Sequence, residues 1–235
     1  MKKVLVALGI LLLIGGTLGV AYALSEPPSK EALLRDIESV NSYSFTREIV
    51  FKQIHFKGIY KGTSSHIEKK FAYTGKVLTR GEVSLVTGLV REKEEFYING
   101  TLVMRGKITV NLNTGDISGT ITLSNGTTMN IIDFWKEYFG ISKKEALLMF
   151  QDNLPLVSLR KTIQEGQCIN VAIDDSIGDR ILRGLGLKDS GIAYTVKTPG
   201  GRLWRVLTDR NGRPVEFTSE NESVKVTVRI TYPKS

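Results

Sequence analysis

The sequence predicts a mainly β (α+β) protein: a curved antiparallel sheet, a half-barrel, covered by a few helices and preceded by a transmembrane or signal helix. Three observations predict it. Long stretches alternate apolar and polar residues with period two, the pattern of strands with one buried and one wet face. Asn-Gly pairs stand between apolar runs, the strongest short-range hairpin signal. Helical periodicity is concentrated in a segment before residue 42 and in 131–157.

Lys2 and Lys3 precede an uncharged apolar run over 4–24, which Ser25-Glu26-Pro27-Pro28 breaks. A basic start, an apolar middle and a polar break mark an export signal. The run holds 21 residues, and about 20 are needed to cross a bilayer core. Length therefore favours an uncleaved anchor, with the N-terminus cytoplasmic and the remainder outside the cell membrane. Ala21-Tyr22-Ala23 is a small-x-small site, so a secreted form cut after Ala23 stays open. No Cys follows the run, which argues against a lipid anchor. The bilayer, met through residues 4–24, is the first expected partner.

Residues 25–29 read as a spacer and 30–235 as a single extracytoplasmic domain. Ser29 suits a helix N-cap, and Leu33, Leu34, Ile37 and Val40 come after it at helical spacing. From 43 to 129 the chain reads as a meander. Its joins are Asn99-Gly100, Asn113-Thr114-Gly115-Asp116 and Asn125-Gly126. The apolar parity slips between Phe51 and Ile54, which predicts a bulge near Lys52 or Gln53. Residues 131–157 are helical. Gly140 stops the first helix, Ser142-Lys143-Lys144-Glu145 is a capping box for a second, and Pro155 is expected to end it. Strands are expected again after Ser158, with a helical turn or two inside 174–189. A second meander turns at Thr198-Pro199-Gly200-Gly201, Asp209-Arg210-Asn211-Gly212 and Glu220-Asn221-Glu222-Ser223. It closes on Val224, Val226, Val228, Ile230 and Tyr232, all on one face.

Composition narrows the function. The net charge is +8; without Lys2 and Lys3, 30 basic side chains face 24 acidic ones. The charges are interspersed rather than clustered, so a nucleic-acid partner is not expected. The single cysteine, Cys168, allows no disulfide within a monomer and reads as a small apolar strand residue. His55 and His66 lack zinc spacing, Gly184-Leu185-Gly186-Leu187 lacks a third glycine, and Asp174, Asp175 and Asp179 do not match a calcium loop. No metal, cofactor or catalytic constellation is therefore expected, and an enzyme ranks below a binding domain. Three sequons, at Asn99, Asn125 and Asn221, lie in predicted turns and are glycosylation candidates.

The helix Glu31-Ala32-Leu33-Leu34-Arg35-Asp36-Ile37 leads through Val40-Asn41-Ser42-Tyr43-Ser44-Phe45 into a long strand. The segment Trp204-Arg205-Val206-Leu207-Thr208-Asp209-Arg210-Asn211-Gly212-Arg213-Pro214-Val215 runs strand, Asp-containing turn, Pro, strand. In this order of elements, over about 29–233, the chain resembles the LolA/LppX group of exported carriers. The resemblance implies a half-open antiparallel barrel whose apolar concave side is lined by helices and binds acyl chains. The chain departs from the lipoproteins of that group in lacking a lipidated Cys, and no residue marks a lipidated protein as cargo.

The expected function is thus non-catalytic binding of an apolar ligand, a lipid first of all, by a tethered or secreted domain. The expected ligand wall is Phe71, Tyr73, Leu85, Trp135, Tyr138, Phe139, Met149 and Phe150. The alternative is a ligand-free cell-surface interaction or sensor domain with a filled core. A cavity of about 300 Å³ or more beneath the helices favours the first reading; a solid core with exposed apolar residues favours the second.

Overall fold

The computed structural model describes residues 30–58, 69–171, 193–209 and 211–233, with side chains outside the description at 53–58, 69–72 and 168–171. The apolar run at 4–24, Ser29, His66 and the 174–189 excursion lie outside the described residues. No helix among the described residues is long and apolar enough to cross a membrane.

One antiparallel sheet of eleven strands forms the body. Strands β1 (Ser42–Gly58), β2 (Lys69–Ser84), β3 (Leu89–Ile98), β4 (Thr101–Asn111), β5 (Asp116–Leu123) and β6 (Thr128–Asn130) make the first meander. Strands β7 (Gln167–Val171), β8 (Ala193–Lys197), β9 (Leu203–Thr208), β10 (Pro214–Glu220) and β11 (Val224–Thr231) make the second. The spatial order is β6-β5-β4-β3-β2-β1-β11-β10-β9-β8-β7. The two meanders therefore join where the first strand pairs with the last, Phe45 opposite Ile230. Strands β6 and β7 are the edges, and the sheet is open among the described residues.

The predicted turns form for the predicted reasons. Asn99 and Gly100 both take positive φ, 47° and 79°, the geometry that matches a hairpin's twist. The bulge appears as a register shift between Phe51 and Ile54. Along β11, Val228 and Ile230 are buried and Val224 and Val226 half-buried, while Lys225, Arg229 and Thr231 are exposed. Thr227 departs from that alternation and is buried.

Four helices are described: α1 (Lys30–Glu38), α2 (Ile131–Phe139), α3 (Lys143–Asp152) and α4 (Pro155–Glu165). Helix α2 begins on an Asn130 side chain that accepts from the Ile132 N–H and ends at Gly140 with φ 66°. Helix α3 starts on the predicted capping box of Ser142 and Glu145. The expectation at Pro155 needs correction. The proline does not end the helical segment near 157; it opens α4, which runs to Glu165 and replaces the strand expected after Ser158. Pro fits the first turn, where its missing N–H has no helical partner anyway. Leu156, Leu159 and Ile163 then fall on one face and are buried, a stripe that holds the helix in place.

This topology positions the site. The helices leave the sheet at edge strand β6 and return at edge strand β7, so they must cross it. The face they cross carries the core. Tyr43, Phe45, Val83, Val90, Ile108, Val110, Ile117, Ile121, Val206, Phe217, Val228 and Ile230 are buried there with Leu33 and Ile37 of α1 and Leu159 and Ile163 of α4.

Candidate functional site

Residues directly opposite on antiparallel strands share a face, and the register draws the floor of the site row by row. One row runs Val228, Arg47, Thr79, Glu94, Gly106, Ile121 across β11, β1, β2, β3, β4 and β5. The next row runs Ile230, Phe45, Gly81, Glu92, Ile108, Gly119. Three charged side chains therefore stand on the apolar face. Gly81 makes the second row possible: a Cβ there would lie 2.5 Å from the Phe45 ring, which instead covers the glycine beside Glu92.

A cavity of about 320 Å³ lies between this floor and the helices. Ile49, Val77 and Ile108 form its apolar floor, with Arg47, Glu92 and Glu94 as polar neighbours. Trp135 of α2, Ile141 of the link after it, Ala146, Met149 and Phe150 of α3, and Asn153 beyond α3 form the roof. Arg47 connects the two, because its Nη1 donates to the Asn153 carbonyl at 3.0 Å. That carbonyl belongs to the C-cap of α3, where the helix dipole favours a cation. The Arg47 Nη2 lies 4.0 Å from Glu94 Oε1, and its buried Nε–H has no partner among the described residues. Thr79 Oγ1, on the same row, is likewise buried and unpartnered among the described residues.

Burial governs the acids. It pushes the Glu92 carboxyl up to about 7; the Arg47 guanidinium opposes the rise and the Glu94 charge adds to it. Glu94 is also raised, again by burial first and against the pull of Arg47. At the end of the face, burial raises the Tyr43 phenol, and a hydrogen bond with the Leu156 backbone opposes the rise. Among the described residues no cluster of three or more His, Cys, Asp or Glu could hold a metal ion.

The expected ligand wall divides. Trp135, Met149 and Phe150 line the cavity. Leu85 does not: it sits exposed in the β2–β3 turn, where its N–H donates to the Asn41 carbonyl. Tyr138 and Phe139 lie at the far end of α2, packed on buried Phe134 at ring separations of 4.8 and 5.7 Å, with their outer sides exposed. Tyr73 is half-buried opposite Ile54, outside the cavity lining, and the side chain of Phe71 lies outside the described residues. Asn99, Asn125 and Asn221 are exposed in turns, and each side-chain oxygen accepts from a backbone N–H: of Thr74, Thr127 and Val224 respectively.

Sequence reasoning passed over Arg47, Glu92 and Glu94, the charged part of the floor. Their signal was parity. In Tyr43-Ser44-Phe45-Thr46-Arg47-Glu48-Ile49 the arginine keeps step with the apolar residues, and in Val90-Arg91-Glu92-Lys93-Glu94-Glu95-Phe96 both glutamates do.

No family model matches the chain, and no curated protein matches it. Among solved structures it is similar to the lipoprotein LppX of Mycobacterium tuberculosis, with 12% identity, 86% of this chain and 95% of that chain covered, and a TM-score of 0.43. It is also similar to a β-barrel-like protein of a domain of unknown function from Brucella abortus, with 10% identity over 83% of this chain and 99% of that one, at a TM-score of 0.32. A fragment of the flagellar hook protein FlgE of Caulobacter crescentus shares 14% identity over 66% of this chain and 60% of its own, at 0.29.

Proposed function

We propose that this chain is a non-catalytic holder of an apolar ligand, a lipid or a similar chain, presented outside the cytoplasm. One observation carries the reading. About 320 Å³ stays open between Ile49, Val77 and Ile108 below and Trp135, Met149 and Phe150 above. Sites for small ligands span about 300–1,000 Å³, so this volume suits one chain end rather than several whole chains. Burying apolar ligand surface there contributes roughly 25 cal/mol per Å², with no covalent step.

The apolar run at 4–24 supplies the export half of the proposal. Uncleaved, it keeps the domain beside the bilayer, within reach of lipids; cut after Ala23, it leaves a diffusing carrier. Native mass spectrometry of the full chain purified from its own membranes, with extraction of bound lipid, tests the reading. A stoichiometric apolar species is the expected result, and reproducible absence of one overturns it.

A second reading, a cell-surface interaction domain, draws on Tyr138, Phe139, Leu148 and Met149, which are all more than half exposed on the helices. Mutating Phe139 and Leu148 to Ser separates the two. A holder keeps its ligand, whereas an interaction domain loses its partner.

A further inference from the structure

The charges around the cavity do not balance. Among the described residues lining it, Glu92 and Glu94 supply two carboxyls and Arg47 the single guanidinium. Arg47 gives its Nη1 to the Asn153 carbonyl, meets Glu94 only at the 4.0 Å limit of an ion pair and keeps an Nε–H unpartnered among the described residues, so neither acid is held closely by it. Glu92 is 5% exposed, lines the cavity, and accepts no hydrogen bond from any described residue. A buried carboxyl without a donor is costly whichever protonation state it holds. Glu92 and Glu94 are two apart on β3 and on one face, so their stems stand about 7 Å apart. An ammonium group fits between two carboxyls at that spacing.

We propose that the ligand is a cationic amphiphile: an amine head seated at Glu92 and Glu94, with an alkyl tail against Ile108, Trp135 and Phe150. The proposal rests on the apolar-ligand reading and adds the head group to it. A purely apolar ligand leaves Glu92 without a donor. An anionic head that reaches the unpartnered Arg47 Nε–H still meets two carboxyls for that one guanidinium. An ammonium donates up to three hydrogen bonds and restores the missing positive charge, in surroundings of low dielectric where such bonds are strong. Burial raises both acids against the pull of Arg47, and a cation seated between them offsets that desolvation. The long-range field does not supply this preference, since the chain carries a net charge of +8. Selectivity for a cation must come from these two side chains.

The test is isothermal titration of the full chain in phosphatidylcholine nanodiscs with decylamine, decanol and decanoate, after subtraction of uptake by empty nanodiscs. Decylamine is expected to bind about tenfold or more tighter than decanol, with decanoate weakest. Glu92→Gln should bring decylamine down to the affinity of decanol. Glu94→Gln, made in parallel, should lower it in the same direction and serves if the first variant does not fold by circular dichroism. Glu137→Gln, an exposed carboxyl of α2, should leave the preference unchanged. Equal binding of all three, a preference for decanoate, or an amine preference that survives both floor variants overturns the head-group assignment while the apolar-ligand reading stands. Binding of none of the three removes both.

Discussion

Glu92 links protonation to stability. Its carboxyl titrates at about 7 in the fold against an ordinary 4.5, so the folded state holds this proton more tightly than the unfolded chain does. The resulting stability is fully present below about pH 4.5 and is lost as pH rises through 7. The shift corresponds to roughly 3 kcal/mol. Urea unfolding should therefore show stability falling from pH 5 to pH 8, and Glu92→Gln should flatten that fall; an unchanged slope in the variant would place the titration elsewhere. Glu94, raised by the same burial, acts in the same direction. Arg47 is the counterpart. Replacing it with Met removes the nearby cation and its bond to the Asn153 carbonyl, and losing such a charge-assisted bond costs about 1.5–3 kcal/mol. The loss should be larger at pH 8 than at pH 5, where protonation relieves the acids.

Elements hold their places for different reasons, and substitutions separate them. Helix α4 is fixed by burial of Leu156, Leu159 and Ile163. Leu159→Ala should cost about 2–5 kcal/mol in denaturant unfolding. On the opposite face of the sheet, Arg80, Lys93 and Lys107 stand directly across from one another on β2, β3 and β4. Like charges in opposed positions destabilise a sheet. Lys93→Thr should therefore raise stability by a few tenths of a kcal/mol, an increase that falls with added salt. Loss of stability instead would mean that the Lys93 stem packs more than its charge repels. The turns are local devices. Asn99 is readable because its positive φ belongs to the β3–β4 hairpin alone, although its side chain also takes a bond from the Thr74 N–H of the neighbouring β2.

At the scale of the molecule, the sheet and the roof differ in how firmly they are held. Helix α3 buries only Ala146, while β1 pairs along its length with β2 and over Ser44–Phe51 with β11 as well. Amides of α3 should exchange with deuterium well before those of β1, and a bound ligand should slow α3 in particular, since Met149 and Phe150 face the cavity. Protection of α3 equal to that of β1 in the free protein would argue for a closed, filled core.

The strands, the Asn-Gly turns, the bulge before Ile54 and the capping box at Ser142 were legible in the chain, because each is set by residues within a few positions of one another. Helix α4 was not. A proline can stop a helix or start one, and the residues after Pro155 decide which; Leu156, Leu159 and Ile163 gain their meaning only from the surface they meet. The ligand wall divides along the same line. Trp135, Met149 and Phe150 were readable as an apolar stripe, but which aromatic residues turn inward depends on where α2 lies on β5 and β6. The charged floor needed more: Arg47 sits on β1, two strands away from Glu92 and Glu94 on β3, and register alone brings the arginine to the acids. Sequence by itself determined the antiparallel class and the faces of the strands, since side-chain alternation is a property of the backbone. Only the tertiary structure decided that β1 closes on β11, that the helices cross from edge to edge, and that two acids and one arginine share a cavity. Those are contacts between residues distant in sequence, and no local pattern encodes their pairing.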